Sequence, residues 1–259
     1  LLQILHTMLK SSKTWHNSLI QHLRAWHRKL GIVAAFFLIF LSLSGIALNH
    51  TELLSLGHQK VNSTWLQDHY GIKAPNKINF YHNNQLIVTN KLVWLKDRLL
   101  IEVSEPVISA GEFQQFIVVA TEQQLFLFSP QGELVDKLGS TSGLPSNIGA
   151  MNISSSTIVL NTDSGYYQSD RELFDWQPIS TIAKPKWISQ SQSTAKEKLS
   201  AISQYKSHFL TWERIIVDTH SGRFFGLLGV LVMDVVAILL ILLSVSGLYI
   251  WLRYAKGKR

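Results

Sequence analysis

Two long apolar runs constrain this chain more than anything else in it. Residues 30–48 carry no charged side chain, and residues 224–252 carry one, Asp234. A helix needs about 20 mainly apolar residues to cross the hydrocarbon core of a bilayer. Its backbone polar groups must also be satisfied within the segment. Both runs are therefore expected to be transmembrane helices in contact with membrane lipid. A basic arm precedes the first run and no small-residue cleavage site follows it, so a retained span is expected rather than a removed signal.

The charges orient these spans. Residues 1–29 hold five Lys/Arg and no acid, and residues 253–259 hold four Lys/Arg and no acid. The stretch between the spans is nearly balanced, with fifteen basic and sixteen acidic residues over 50–223. Basic flanks stay on the cytoplasmic side, so both termini are expected in the cytoplasm and one large loop outside. The net charge of +7 is then a signal of orientation, and no nucleic-acid partner is expected from it. The expected organisation is a cytoplasmic basic arm (1–29), a first span (30–50), an external β-rich domain (51–200), a juxtamembrane helix (201–222), a second span (223–252) and a cytoplasmic tail (253–259). With no cysteine in the chain, neither a disulfide nor a thiolate metal site is possible.

The external stretch reads as strand. Three segments share one pattern: "QLIVTNKLVWLKDRLLIEV" from Gln85, "FIVVATEQQLFLFSPQGELVDKL" from Phe116 and "TIVLNTDSGYYQSDRELFDWQPI" from Thr157. Each alternates short apolar strands with polar turns. The reading is a three-stranded meander repeated three times, in the rhythm of propeller-type blades. Three blades do not close a standard propeller, so stacked meanders are expected, with a plain β-sandwich as the alternative. A single short helix is expected over 201–218.

The residues that carry chemistry lie at the borders of the spans. His27 opens the first span and His50 closes it. A rise of about 1.5 Å per residue separates them by roughly 35 Å. His220 stands just before the second span, at the same face as His50. Small residues surround this level: Ser44 and Gly45 below His50, then Gly222, Gly226 and Gly229 after His220. Imidazoles from two helices, beside residues that leave room for a flat ligand, are what a membrane heme b requires of a protein. His50 and His220 are therefore candidate axial ligands of heme iron, with Gly45 and Gly226 lining the cofactor. The alternative for each histidine is a border residue that bonds lipid head groups, and "WHRKLG" (26–31) also reads as an aromatic and basic anchor.

His27 has no histidine opposite it in the second span. A second copy in a homodimer supplies one by symmetry; His16 or His22 of the arm is the other source. Asp234, inside the second span, is costly at about 2.5–3.5 kcal/mol and so marks a functional or interhelical role. Its candidate partners are Ser42 and Ser44, a proton, or a second chain. Arg223, at the entrance to the same span, is a further candidate. "SLSG" (42–45) and "SVSG" (244–247) echo one another at opposite depths and read as close-packing notches.

Four motifs together, "WHRKLG", "SGIALNH", "ERIIVDTHSGRFFG" and "LLLSVSGLYIWL", resemble the PepSY-associated transmembrane family of bacterial inner-membrane proteins. The two-helix form with one large periplasmic loop resembles the VciB-type ferric reductases within it. The resemblance implies heme b held by His27, His50 and His220, electrons passed outward to periplasmic Fe³⁺ or a small ferric chelate, and Fe²⁺ made for a ferrous iron transporter. A cytoplasmic or quinol donor and a homodimer with a four-helix membrane core complete that expectation. The rival reading is a non-enzymatic sensor or scaffold whose helices only anchor a β-domain.

Overall fold

The computed structural model describes residues 2–180 and 185–256, with side chains over 25–180 and 185–252. Two units emerge, Leu1–Val61 with Leu210–Arg259, and Asn62–Phe209. Five helices are described: α1 (Leu2–Asn49), α2 (Thr64–His69), α3 (Ala195–His208), α4 (Trp212–His220) and α5 (Gly226–Lys256).

The first unit is helical. Within it, Ala25–Asn49 and Arg223–Leu252 are long and apolar enough to cross a membrane. Their apolar side chains point outward: Ile32 is 74% exposed, Phe36 70%, Leu227 75% and Leu228 76%. A core helix of a soluble protein would bury these groups, whereas a bilayer accepts them without cost. α1 packs on α4 and α5. The connectors are tied by an antiparallel bridge of Lys60 to Thr211, with Val61 N–H donating to the Leu210 carbonyl at 3.0 Å.

The single helix expected over 201–218 is instead two helices, α3 and α4. Thr211 is extended (φ −117°, ψ 158°), and its hydroxyl accepts from the Arg214 N–H. A threonine N-cap satisfies a donor left open at a helix start. With the bridge to Lys60, it outweighs continuation of the helix.

The second unit is built from three four-stranded antiparallel meanders. The first holds β1 (Ile78–Tyr81), β2 (Leu86–Thr89), β3 (Leu92–Leu95) and β4 (Arg98–Glu102). The second holds β5 (Val107–Phe113), β6 (Phe116–Thr121), β7 (Leu125–Phe128) and β8 (Leu134–Leu138). The third holds β9 (Ile148–Ile153), β10 (Ile158–Thr162), β11 (Gly165–Ser169) and β12 (Trp176–Ile179). The mainly β domain of repeated meanders is thus present, with four strands per repeat where three are legible in the sequence.

The overlooked strand is the first of each meander, and for β5 and β9 the reason is packing. β5 lies against β9. A Cβ on Gly111 of β5 would stand 3.0 Å from Ile153 Cδ1 and 3.1 Å from Ile188 Cδ1. Close approach requires glycine at 111, and with Ser109, Ala110, Gly149 and Ala150 the two strands hold residues of little strand propensity. The middle sheet is covered on both faces. Val118, Ala120, Leu125 and Leu127 join Leu160 and Met151 on one side. Ile117, Val119, Phe126 and Phe128 join Val88 and Val93 on the other. The unbroken apolar runs of β6 and β7 follow from this double burial.

A capping box starts α3. The Thr194 hydroxyl accepts from the Glu197 N–H, while the Glu197 carboxylate accepts from the Thr194 N–H at 2.7 Å. Asn84 Nδ2 donates to the other carboxylate oxygen at 2.9 Å, tying the helix start to the β1–β2 turn. These bonds, the Thr194 backbone N–H first, hold the Glu197 carboxyl below its ordinary range. A depressed carboxyl stabilises the fold above its unfolded pKa, and that contribution fades as pH falls through the folded value. Glu197→Ala should therefore lower the melting temperature at neutral pH. The gap to the parent chain should close on acidification below the ordinary carboxylate range, as followed by thermal melts against pH.

Candidate functional site

Two contacts tie α1 to the opposite helices, one near each end of the span. Near its carboxyl end, Ser44 Oγ lies 2.7 Å from His220 Nδ1, at the last residue of α4. Near the start of the span, His27 Nδ1 lies 3.0 Å from Ser246 Oγ in α5. Ser44 and His27 are 17 residues apart on one helix, so the two contacts lie about 26 Å apart along α1.

Each histidine also meets the glycine next to its serine. A Cβ on Gly45 would stand 3.9 Å from His220 Cε1. A Cβ on Gly247 would stand 3.3 Å from His27 Cε1 and 3.9 Å from Nε2. The echo of SLSG and SVSG is therefore spatial as well as sequential. Each motif supplies the serine and glycine against which the other helix's histidine rests. Both rings are half-buried, and neither Nε2 has a hydrogen bond among the described residues.

His50 is exposed, in the turn that ends α1, with no side-chain bond among the described residues. It stands six residues beyond Ser44, about 9 Å further along the helix, so its backbone is not level with the His220 ring. The side chains of His16 and His22 lie outside the described residues. Asp234 is exposed on α5, while Ser44, one partner considered for it, is engaged by His220. Arg223 Nε donates to Asp218 Oδ1 at 3.1 Å, which fixes the turn after α4. Gly226 has φ +66° and open space around its Cβ position.

Gly222 and Gly229 approach one another through backbone. A Cβ on Gly222 would stand 2.6 Å from the Gly229 carbonyl carbon and 2.7 Å from Met233 Cγ. Beside this corner an apolar cavity of about 430 Å³ is lined by Phe36, Phe37, Phe40, Gly222, Phe225 and Met233. Thr219, next to His220, also faces it.

Sequence reading missed Ser44, Ser246 and Gly247 as partners of histidine. The available signal was the repeated Ser–Gly pair at the end of each span opposite to that span's histidine.

These donors fit a heme iron in kind: a half-buried imidazole at each level, Nδ1 already bonded, Nε2 open, and apolar or glycine surface beside it. Among the described residues no group of three or more His, Cys, Asp or Glu side chains gathers to hold a bare metal ion. The outward-facing apolar helices, with a β unit between them in sequence, define a membrane protein. The family of the PepSY-associated TM region matches residues 4–253, and the chain belongs to it. A search of curated proteins finds no match. Among solved structures, the crystal structure of the N-terminal domain of Nup159 matches at 11% identity and a TM-score of 0.29, over 42% of this chain. The match spans 31% of that structure, and at this score it bears on neither fold nor function.

Proposed function

We propose that the protein is a heme-dependent ferric reductase of the bacterial inner membrane, of the VciB type. One observation carries this reading: imidazoles near both borders of one span, each braced by a serine on the opposite helix. Membership of the PepSY-associated TM family supports it, as does the excess of Lys/Arg at both ends of the chain, which favours cytoplasmic termini and a periplasmic β unit.

His27 would hold heme b at the inner level and His220 at the outer. Bound heme supplies a one-electron carrier whose potential is set by axial ligands, burial and hydrogen bonding. The chain's own work is to orient each imidazole, to present glycine and apolar surface beside it, and to exclude water from the span. One chain offers one such imidazole per level, so a homodimer supplies the second ligand. The net reaction takes one electron from a cytoplasmic or quinol donor and gives it to periplasmic Fe³⁺ or a small ferric chelate. The product Fe²⁺ is then available to a ferrous transporter.

The test is the optical spectrum of the detergent-purified chain, as isolated and after dithionite. A sharp reduced α-band that decays when Fe³⁺ is added is expected. Absence of any heme band in protein expressed with ample heme would overturn the reading and leave a membrane-anchored sensor or scaffold.

A further inference from the structure

We infer that Ser44 and Ser246 are positioning residues that hold His220 and His27 as Nδ1–H tautomers, leaving each Nε2 lone pair as the ligand atom. The inference deepens the heme reading, and its first measurement does not depend on heme.

A serine hydroxyl has one proton to give and two lone pairs to accept with. Ser44 Oγ lies 2.7 Å from the Phe40 carbonyl oxygen and 3.2 Å from that of Leu41. Ser246 Oγ lies 3.1 Å from the Leu243 carbonyl oxygen. Carbonyl oxygens only accept, and each hydroxyl proton is assigned to the carbonyl of its own helix. The same oxygen then meets the imidazole with lone pairs alone, and the proton shared at 2.7 Å and 3.0 Å is the histidine's own. A neutral imidazole that donates from Nδ1 has a bare Nε2. Metal-bound histidines are commonly held this way, the other ring nitrogen donating to a fixed acceptor that sets the tautomer and orientation.

The arrangement is selective within each motif. Ser44 and Ser246 are half-buried, whereas Ser42 and Ser244 are exposed, and among the described residues Ser244 bonds only to its own helix, at the Leu240 carbonyl. The same geometry also arises twice, from four separate stretches of chain. Packing alone would need the glycines of the two motifs; it would not need a hydroxyl beside each.

The experiment is solid-state NMR of the full chain in lipid bilayers, without heme, labelled with ¹⁵N-histidine. It is run at alkaline pH, where imidazole is neutral, and signals are assigned by His27→Ala and His220→Ala. Both histidines are expected as Nδ1–H tautomers. Ser44→Ala should shift the tautomer ratio of His220 alone, and Ser246→Ala that of His27 alone, by about three- to tenfold, the worth of one net hydrogen bond. Ser44→Thr and Ser246→Thr should restore the parent ratio, and Ser42→Ala and Ser244→Ala should leave it unchanged. Nε2–H tautomers in the parent chain, or ratios untouched by either alanine variant, would overturn the inference. Heme titration of the same variants then reads the consequence, a fall in affinity of about 10–100-fold on losing the supporting partner, recovered by threonine. Nδ1–H tautomers without heme uptake by any variant would uphold the tautomer assignment and sink the heme reading alone.

Discussion

Gly229→Ala and Gly222→Ala are each expected to unseat the corner between α4 and α5. A Cβ at Gly229 would collide with the Gly222 carbonyl oxygen and stand 2.8 Å from Phe225 Cβ. The obstacle at both positions is backbone, which cannot turn aside as a side chain can. Overpacking costs about 1–3 kcal/mol where side chains adjust, so the upper end is expected here. Gly222 adds φ +79°, a left-handed conformation that costs a residue with Cβ about 1–2 kcal/mol more. Against a total stability of about 5–15 kcal/mol, either variant should melt well below the parent chain in detergent. Gly31→Ala is the control: nothing lies within 4 Å of its Cβ position, so that variant should melt at or above the parent. Because Gly222 stands two residues after His220, both corner variants should also loosen the His220–Ser44 contact.

The second large effect is on the cofactor. Under the reductase reading, His27→Ala and His220→Ala should each remove about half of the bound heme, since each takes away an axial ligand at one level. The double variant should show no reduced α-band. His50→Ala should keep heme at both levels, because its backbone lies about 9 Å along the helix from the level of Ser44. Heme content by absorbance, with protein measured independently, reads all four. Equal loss in every single variant would point to collapse of the fold rather than loss of a ligand. Melting curves of the same samples separate those two cases.

Some of this was legible in the chain. The two spans stand out because lipid demands about 20 consecutive apolar residues, a signal that needs no knowledge of neighbours. Repeated meanders are visible where strands carry large or β-branched residues, as in "FIVVA" and "LFLF". They are invisible at β5 and β9, which are rich in Ser, Ala and Gly and meet closely at Gly111. His27 and His220 were legible as border imidazoles, but their serine partners were not. Those serines looked like packing notches, which their glycine neighbours also are. Asp234 was legible as a costly charge, yet its exposure on α5 could only be seen once the helices were placed.

The amino-acid sequence by itself determined that the chain has two spans, that its basic ends flank them, and that the stretch between is mainly strand. Each of these follows from local composition or a short period, which neighbouring residues encode together. Tertiary structure alone decided that His220 rests on Ser44, 176 positions away, and His27 on Ser246, 219 positions away. It also decided that Gly222 and Gly229 touch through backbone. No periodicity encodes such pairs. They exist because antiparallel helices bring the end of one against the start of the other, and because a residue without a side chain lets them close.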